Sequence, residues 1–150
     1  MADPPWGATP EGVRALVLDV AAEATRLGSR APRITDDTLT QWITEGAAQV
    51  AGRIRGYAAL APATTVQIEA QARGLVHLYA ASFLADASHP ERAAGRARLG
   101  EVYWERYTAG LNQLTAWVRD VIDTGQGSGG PPGSAAWAFP PPRITDRTTW

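Results

Sequence analysis

Two histidines, His77 and His89, and no cysteine are the imidazole and thiol groups that the 150-residue chain offers a metal ion or a nucleophilic relay. His77 lies among Leu75, Val76, Leu78 and Tyr79, which is the setting of a packing histidine, and His89 precedes Pro90 in a turn expected to meet solvent. No His-x-x-x-His pair and no Glu-x-x-His motif accompanies them, so neither a zinc site nor a carboxylate di-iron site has a ligand set. Ser29, Ser82, Ser88, Ser128 and Ser134 show no Gly-x-Ser-x-Gly elbow, and no glycine cradle for phosphate follows a strand. Asp36-Asp37 is a carboxylate pair, but its place directly after Thr35 is that of a helix first turn, where negative charge suits the dipole. The residues predict no catalytic, cofactor or metal site and a protein that is not an enzyme.

Two other groups of residues point to binding. Arg92, Arg96 and Arg98 form the one local basic cluster. It is read either as a contact to DNA or to an acidic partner, or as a solvated face paired with Glu91, Glu101 and Glu105. Beyond Gly125 the composition turns to glycine and proline, yet carries Trp137, Phe139, Arg143, Ile144, Arg147 and Trp150. A flexible linker has no use for two tryptophans. An aromatic ring buries about 150–250 Å², so this segment is expected to be an arm that orders when it docks on a partner. With a net charge of −1, the chain lacks the excess of positive charge that drives sequence-independent binding to nucleic acid. The apolar stretches are too short for a membrane span, and the start has no basic then apolar leader, so neither membrane insertion nor secretion is expected.

The elements that carry these residues read as helices. Thr9-Pro10-Glu11 supplies an N-cap, a first-turn proline and a dipole-matching acid, and Val13, Leu16, Val20, Ala24 and Leu27 continue one apolar stripe to Gly28. Thr35 caps a second helix with the stripe Leu39, Ile43, Gly46, Val50, Ile54 and Tyr57. Within it, Gly46, Gly52 and Gly56 predict either a close helix approach or an early end. Thr64 or Thr65 is expected to cap a third helix, apolar on most of its surface around residues 75–84 and therefore central, which Ser88-His89-Pro90 ends. A fourth is expected from Pro90-Glu91 to about Asp123 through Leu99, Tyr103, Tyr107, Leu111, Leu114, Trp117 and Val121. The expected architecture is all-α: a four-helix bundle-like domain over residues 9–124, an extended N-terminal arm over 1–8 and an extended C-terminal docking arm over 125–150. The heptapeptide beginning at Pro32 returns at Pro142 with one change, Asp37 against Arg147. Chance, shared capping preference or docking into equivalent grooves each account for it.

Read together, Ala8-Thr9-Pro10-Glu11-Gly12-Val13-Arg14-Ala15-Leu16, Ile34-Thr35-Asp36-Asp37-Thr38-Leu39 and Ile43-Thr44-Glu45-Gly46-Ala47-Ala48-Gln49-Val50 resemble the head-to-tail connector (adaptor) family of long-tailed bacteriophages. Tyr79-Ala80-Ala81-Ser82-Phe83 and Gly100-Glu101-Val102-Tyr103-Trp104-Glu105-Arg106-Tyr107 fit its four-helix layout. The resemblance implies a virion protein of the neck, assembled in the host cytoplasm as a ring of about twelve copies beneath the portal. It implies contacts with the portal ring and with a stopper or tail terminator, and a channel that helps retain packaged DNA without reading its sequence. On that basis Trp137, Phe139, Arg143, Ile144, Arg147 and Trp150 are the docking residues, and Arg92, Arg96 and Arg98 face a partner ring or DNA. The long Trp-rich tail and the long first helix depart from the family pattern. The alternative is a small helical DNA-binding factor, a terminase small subunit or a transcriptional regulator. Against a helix-turn-helix reader stands the acidic start of the second helix, which would face phosphates badly.

Overall fold

Helix starts follow the capping chemistry in the sequence. The computed structural model describes residues 5–17, 34–88 and 99–125. Thr9, extended at φ −130°, accepts a hydrogen bond from the Gly12 amide and opens α1 (Pro10–Leu16) with Pro10 and Glu11 in its first turn. Thr35 does the same for α2 (Asp36–Arg53), accepting from the Thr38 amide above Asp36 and Asp37. Residues 34–38 of the first copy of the repeated heptapeptide thus form a helix start; the rest of that copy and all of the second lie outside the described residues. α3 (Pro62–Ser88) begins at its proline, whose fixed φ suits the first helical position. Thr64 and Thr65, expected as caps, are inside the first turn, where the Thr65 hydroxyl donates to the Ala61 carbonyl instead. α4 (Leu99–Thr124) closes on Gly125, which takes φ 69° and donates to the Val121 carbonyl. The expected opening of this helix at Pro90-Glu91 lies outside the described residues.

Two helix ends differ from expectation. α1 stops at Leu16, where Val17 leaves helical geometry and its amide reaches back to Arg14, so the stripe does not run on through one helix. Val20, Ala24 and Leu27 lie outside the described residues. α2 stops at Arg53 rather than Tyr57, because Ile54 turns inward and Gly56 takes the left-handed φ of 87° that glycine adopts at little cost. A short 3-10 turn (Tyr57–Ala59) then leads into α3.

Among the described residues there are four α-helices and no strand, and they form an all-α, bundle-like body. α3 is its centre, packing most extensively on α4 and then on α2 and α1. Leu75, Val76, Leu78, Ala80, Ala81 and Ala85 are all buried there, which accounts for a helix apolar around most of its circumference. Leu39, Ile43 and Val50 of α2, Ile54 just past its end, and Leu114 and Val118 of α4 complete the core, each at most 2% exposed. Removing such a side chain from water contributes about 1.5–3 kcal/mol. None of the described helices is long and apolar enough to cross a membrane.

The last residues of the N-terminal arm lie on this body. Pro5–Gly7 forms a 3-10 turn against α3, Ala8 is fully buried, and Trp6 Nε1 donates to the Tyr57 hydroxyl at 2.9 Å. α1 is fastened at both ends by later helices. The Thr9 amide donates to His77 Nε2 of α3 at 3.2 Å, and the Tyr103 hydroxyl of α4 donates to the Leu16 carbonyl at 2.6 Å.

Candidate interaction surface

Gly46 is where the surface begins, because it lets α2 approach α3 closely enough to fix a tyrosine. A Cβ at Gly46 would stand 2.7 Å from Tyr79 Cδ1 and 3.1 Å from Tyr79 Cβ, so the absent side chain is what admits the ring. Gln49, one turn along α2, then bridges two phenols. Its Nε2 donates to the Tyr79 hydroxyl, and its Oε1 accepts from the Tyr107 hydroxyl of α4, both at 3.2 Å. Burial is the main reason both phenols titrate above the usual tyrosine value. Tyr107 is pushed up to about 12, with Tyr79 adding to the rise and Arg53 opposing it. Tyr79 is raised by burial and by Glu45, against the Gln49 hydrogen bond. Their rings anchor an aromatic cluster.

Over these rings lies a layer that faces solvent. Phe83 packs edge-on against Tyr79 with centroids 5.0 Å apart and touches Trp42 of α2 at 5.6 Å. Trp104 of α4 lies 5.9 Å from Tyr79, 5.4 Å from Tyr107 and 6.4 Å from Phe83. Such spacings are those of favourable ring pairs. Despite these contacts Phe83 is 37% exposed and Trp104 44% exposed. These two rings, with Ser82, Asp86, Gly100, Glu101 and Glu105, line an open groove of about 380 Å³. A Cβ at Gly100 would meet the Asp86 carboxylate, which would have to rotate away. Ser82 Oγ donates to the Tyr79 carbonyl at 2.7 Å and is occupied within its own helix. The surface offers a bound group aromatic faces and negative charge.

Arg92, Arg96, Arg98, Trp137, Phe139, Arg143, Ile144, Arg147 and Trp150 all lie outside the described residues, as does His89. His77 is half-buried and accepts from the Thr9 amide, and burial, followed by Arg73, lowers its pKa below 6.5. It is a packing residue that also caps α1. Asp36 pairs with Arg14 on an exposed face, consistent with a helix start rather than acid/base chemistry. No group of three or more potential metal ligands occurs among the described residues. Sequence reasoning missed Trp42, Phe83 and Trp104 as a surface. The available signal was Trp104 directly beside Tyr103, one step off the α4 stripe, where a solvent-facing residue is expected.

The chain matches no family model, no curated protein and no solved structure.

Proposed function

We propose that this protein is a structural assembly subunit, the head-to-tail adaptor of a long-tailed bacteriophage, forming a ring that joins the portal to the neck and helps retain packaged DNA. The observation that carries the assembly role is the solvent-facing aromatic layer of Phe83 and Trp104, packed against Tyr79 and Tyr107 on a helical body. Fixed aromatic rings in an open groove contribute binding energy at a protein interface, because little side-chain freedom is left to lose on docking. The adaptor role rests on the resemblance of the α1, α2 and α4 segments. Its partners on this reading are the portal ring, a stopper or tail terminator, further copies of itself and DNA in the channel.

Two observations weigh against a DNA-binding factor: the carboxylates that line the groove and Asp36-Asp37 on the first turn of α2 would both repel phosphates. The test is to mix the full-length chain with purified portal rings and image the product, with a parallel DNA titration at two salt concentrations. Ring-shaped complexes on one face of the portal support the assignment. Tight, salt-sensitive DNA binding with no portal complex refutes it in favour of the DNA-binding factor.

A further inference from the structure

We infer that the groove between α3 and α4 receives residues 137–150 of a neighbouring copy of this chain, Trp137 and the proline triplet 140–142 lying on Phe83 and Trp104 and Arg143 or Arg147 meeting Asp86 and Glu105. The inference rests on the assembly reading and names one partner for its surface.

Chemical complementarity comes first. Proline-rich segments are recognised by aromatic-lined grooves, because a proline run has little conformational freedom left to lose and its flat rings stack on exposed aromatic faces. Phe83 and Trp104 supply those faces, at 37% and 44% exposure. Residues 137–150 supply Trp137, Phe139, Pro140, Pro141 and Pro142, followed at once by Arg143 and then Arg147. Asp86 and Glu105 are among the residues that line the groove, and their carboxylates are of opposite charge to the arginines of the segment. An arginine against a carboxylate fixes orientation as well as adding attraction.

Reach favours a neighbouring copy as the source of the segment. The groove lies at the α3 carboxyl end and the α4 amino end, whereas the chain leaves α4 at Gly125. Trp104 to Gly125 is about 32 Å along the helix at 1.5 Å per residue. From Gly125 to Trp137, twelve residues of glycine-rich composition span about 19 Å on average and roughly 40 Å at full extension. Returning to its own groove would hold that linker close to its limit, whereas a neighbour's groove carries no such constraint.

The test uses full-length protein in sedimentation velocity from about 1 to 200 μM, with helix content checked by circular dichroism. The wild-type chain is expected to self-associate. One variant, Phe83→Ala with Trp104→Ala, disables the groove; another, Trp137→Ala with Arg143→Ala and Arg147→Ala, disables the segment. Each alone should weaken association at least about tenfold, as loss of interface anchors does. Mixing the two should restore a mixed dimer, since one intact groove then meets one intact segment. Exchanging charge, Asp86→Arg and Glu105→Arg together with Arg143→Glu and Arg147→Glu, should restore what either half abolishes, which guards against loss through misfolding. Three results overturn the inference: a chain that stays monomeric throughout, association untouched by the groove variant, and variants that never complement in the mixture, which is the signature of docking within one chain. None of these decides the adaptor assignment, which stands or falls on portal binding.

Discussion

Replacing Gly46 with alanine sets two opposed effects against each other, and the structure says which wins. In a helix interior Gly→Ala contributes about 1 kcal/mol of stability through backbone entropy. At Gly46 the new Cβ would stand 2.7 Å from Tyr79 Cδ1 and 3.1 Å from Tyr79 Cβ. The near atoms belong to the base of the ring and its stem, so a small rotation of a side-chain tip does not relieve the clash. Tyr79 is also held by the Gln49 hydrogen bond and by three further rings. Overpacking of this kind costs about 1–3 kcal/mol, and displacing the ring sacrifices part of its aromatic contacts, each about 0.5–1.5 kcal/mol. The net expectation for Gly46→Ala is a loss of about 1–2 kcal/mol. Gly52 on the same helix and Gly74 in the middle of α3 have nothing within 4 Å of a Cβ, and neither takes a positive φ. There only the entropy effect operates, and Gly74→Ala should gain about 0.5–1 kcal/mol. Urea unfolding followed by circular dichroism and tryptophan fluorescence measures both, through the midpoint at constant slope. If Gly46→Ala is as stable as Gly74→Ala, the close approach that seats Tyr79 does not exist, and the rigid base of the aromatic surface goes with it.

Other outcomes follow from single contacts. His77 has a folded pKa below 6.5, so its contribution is complete above about pH 6.5 and falls as the pH drops through the lowered value; His77→Gln should flatten stability against pH between 7 and 5. Trp6→Phe removes the donor to Tyr57 while keeping an aromatic ring, and should cost about 1 kcal/mol in urea unfolding. Leu114→Ala, at a fully buried position, should cost about 2–5 kcal/mol. Trp104→Ala should leave the helical fold intact and weaken binding to portal rings in pull-down or imaging assays. Arg14→Ala should change thermal stability little, by less than about 1 kcal/mol, because its ion pair with Asp36 is solvent-exposed.

The helices were legible where local chemistry decides them. Thr9 and Thr35 announce their caps, and the stripe Leu39, Ile43, Gly46, Val50 and Ile54 marks the buried face of α2. Stops were harder to read because they depend on tertiary contacts. The pattern through Tyr57 continues the periodicity, but Ile54 is drawn into the core and Gly56 takes a left-handed turn that any of the three glycines in this helix would have permitted. Val17 ends α1 in mid-stripe, at the turn after the carbonyl that Tyr103 holds, and no nearby residue signals that. The interaction surface was legible in composition and not in place. Phe83 sits on the α3 stripe and reads as core, and only the meeting of α2, α3 and α4 leaves it and Trp104 facing water. The arginine cluster and the aromatic tail, which the residues alone mark out, lie outside the described residues and stay an expectation.

The fastening of α1 carries a consequence for how the chain matures. Seven residues are too few to persist as a helix in water, since isolated helices shorter than about 12–15 residues are marginal. The groups that hold it, His77 at the Thr9 amide and Tyr103 at the Leu16 carbonyl, lie 68 and 87 positions further along the chain. During synthesis the first segment therefore leaves the ribosome long before its anchors, and waits unpaired until nearly all of α3 and the start of α4 have followed. Ordering of the amino-terminal helix becomes a late report on completion of the body, and hydrogen exchange at the Thr9 amide should register a nascent or truncated chain that has not yet reached His77.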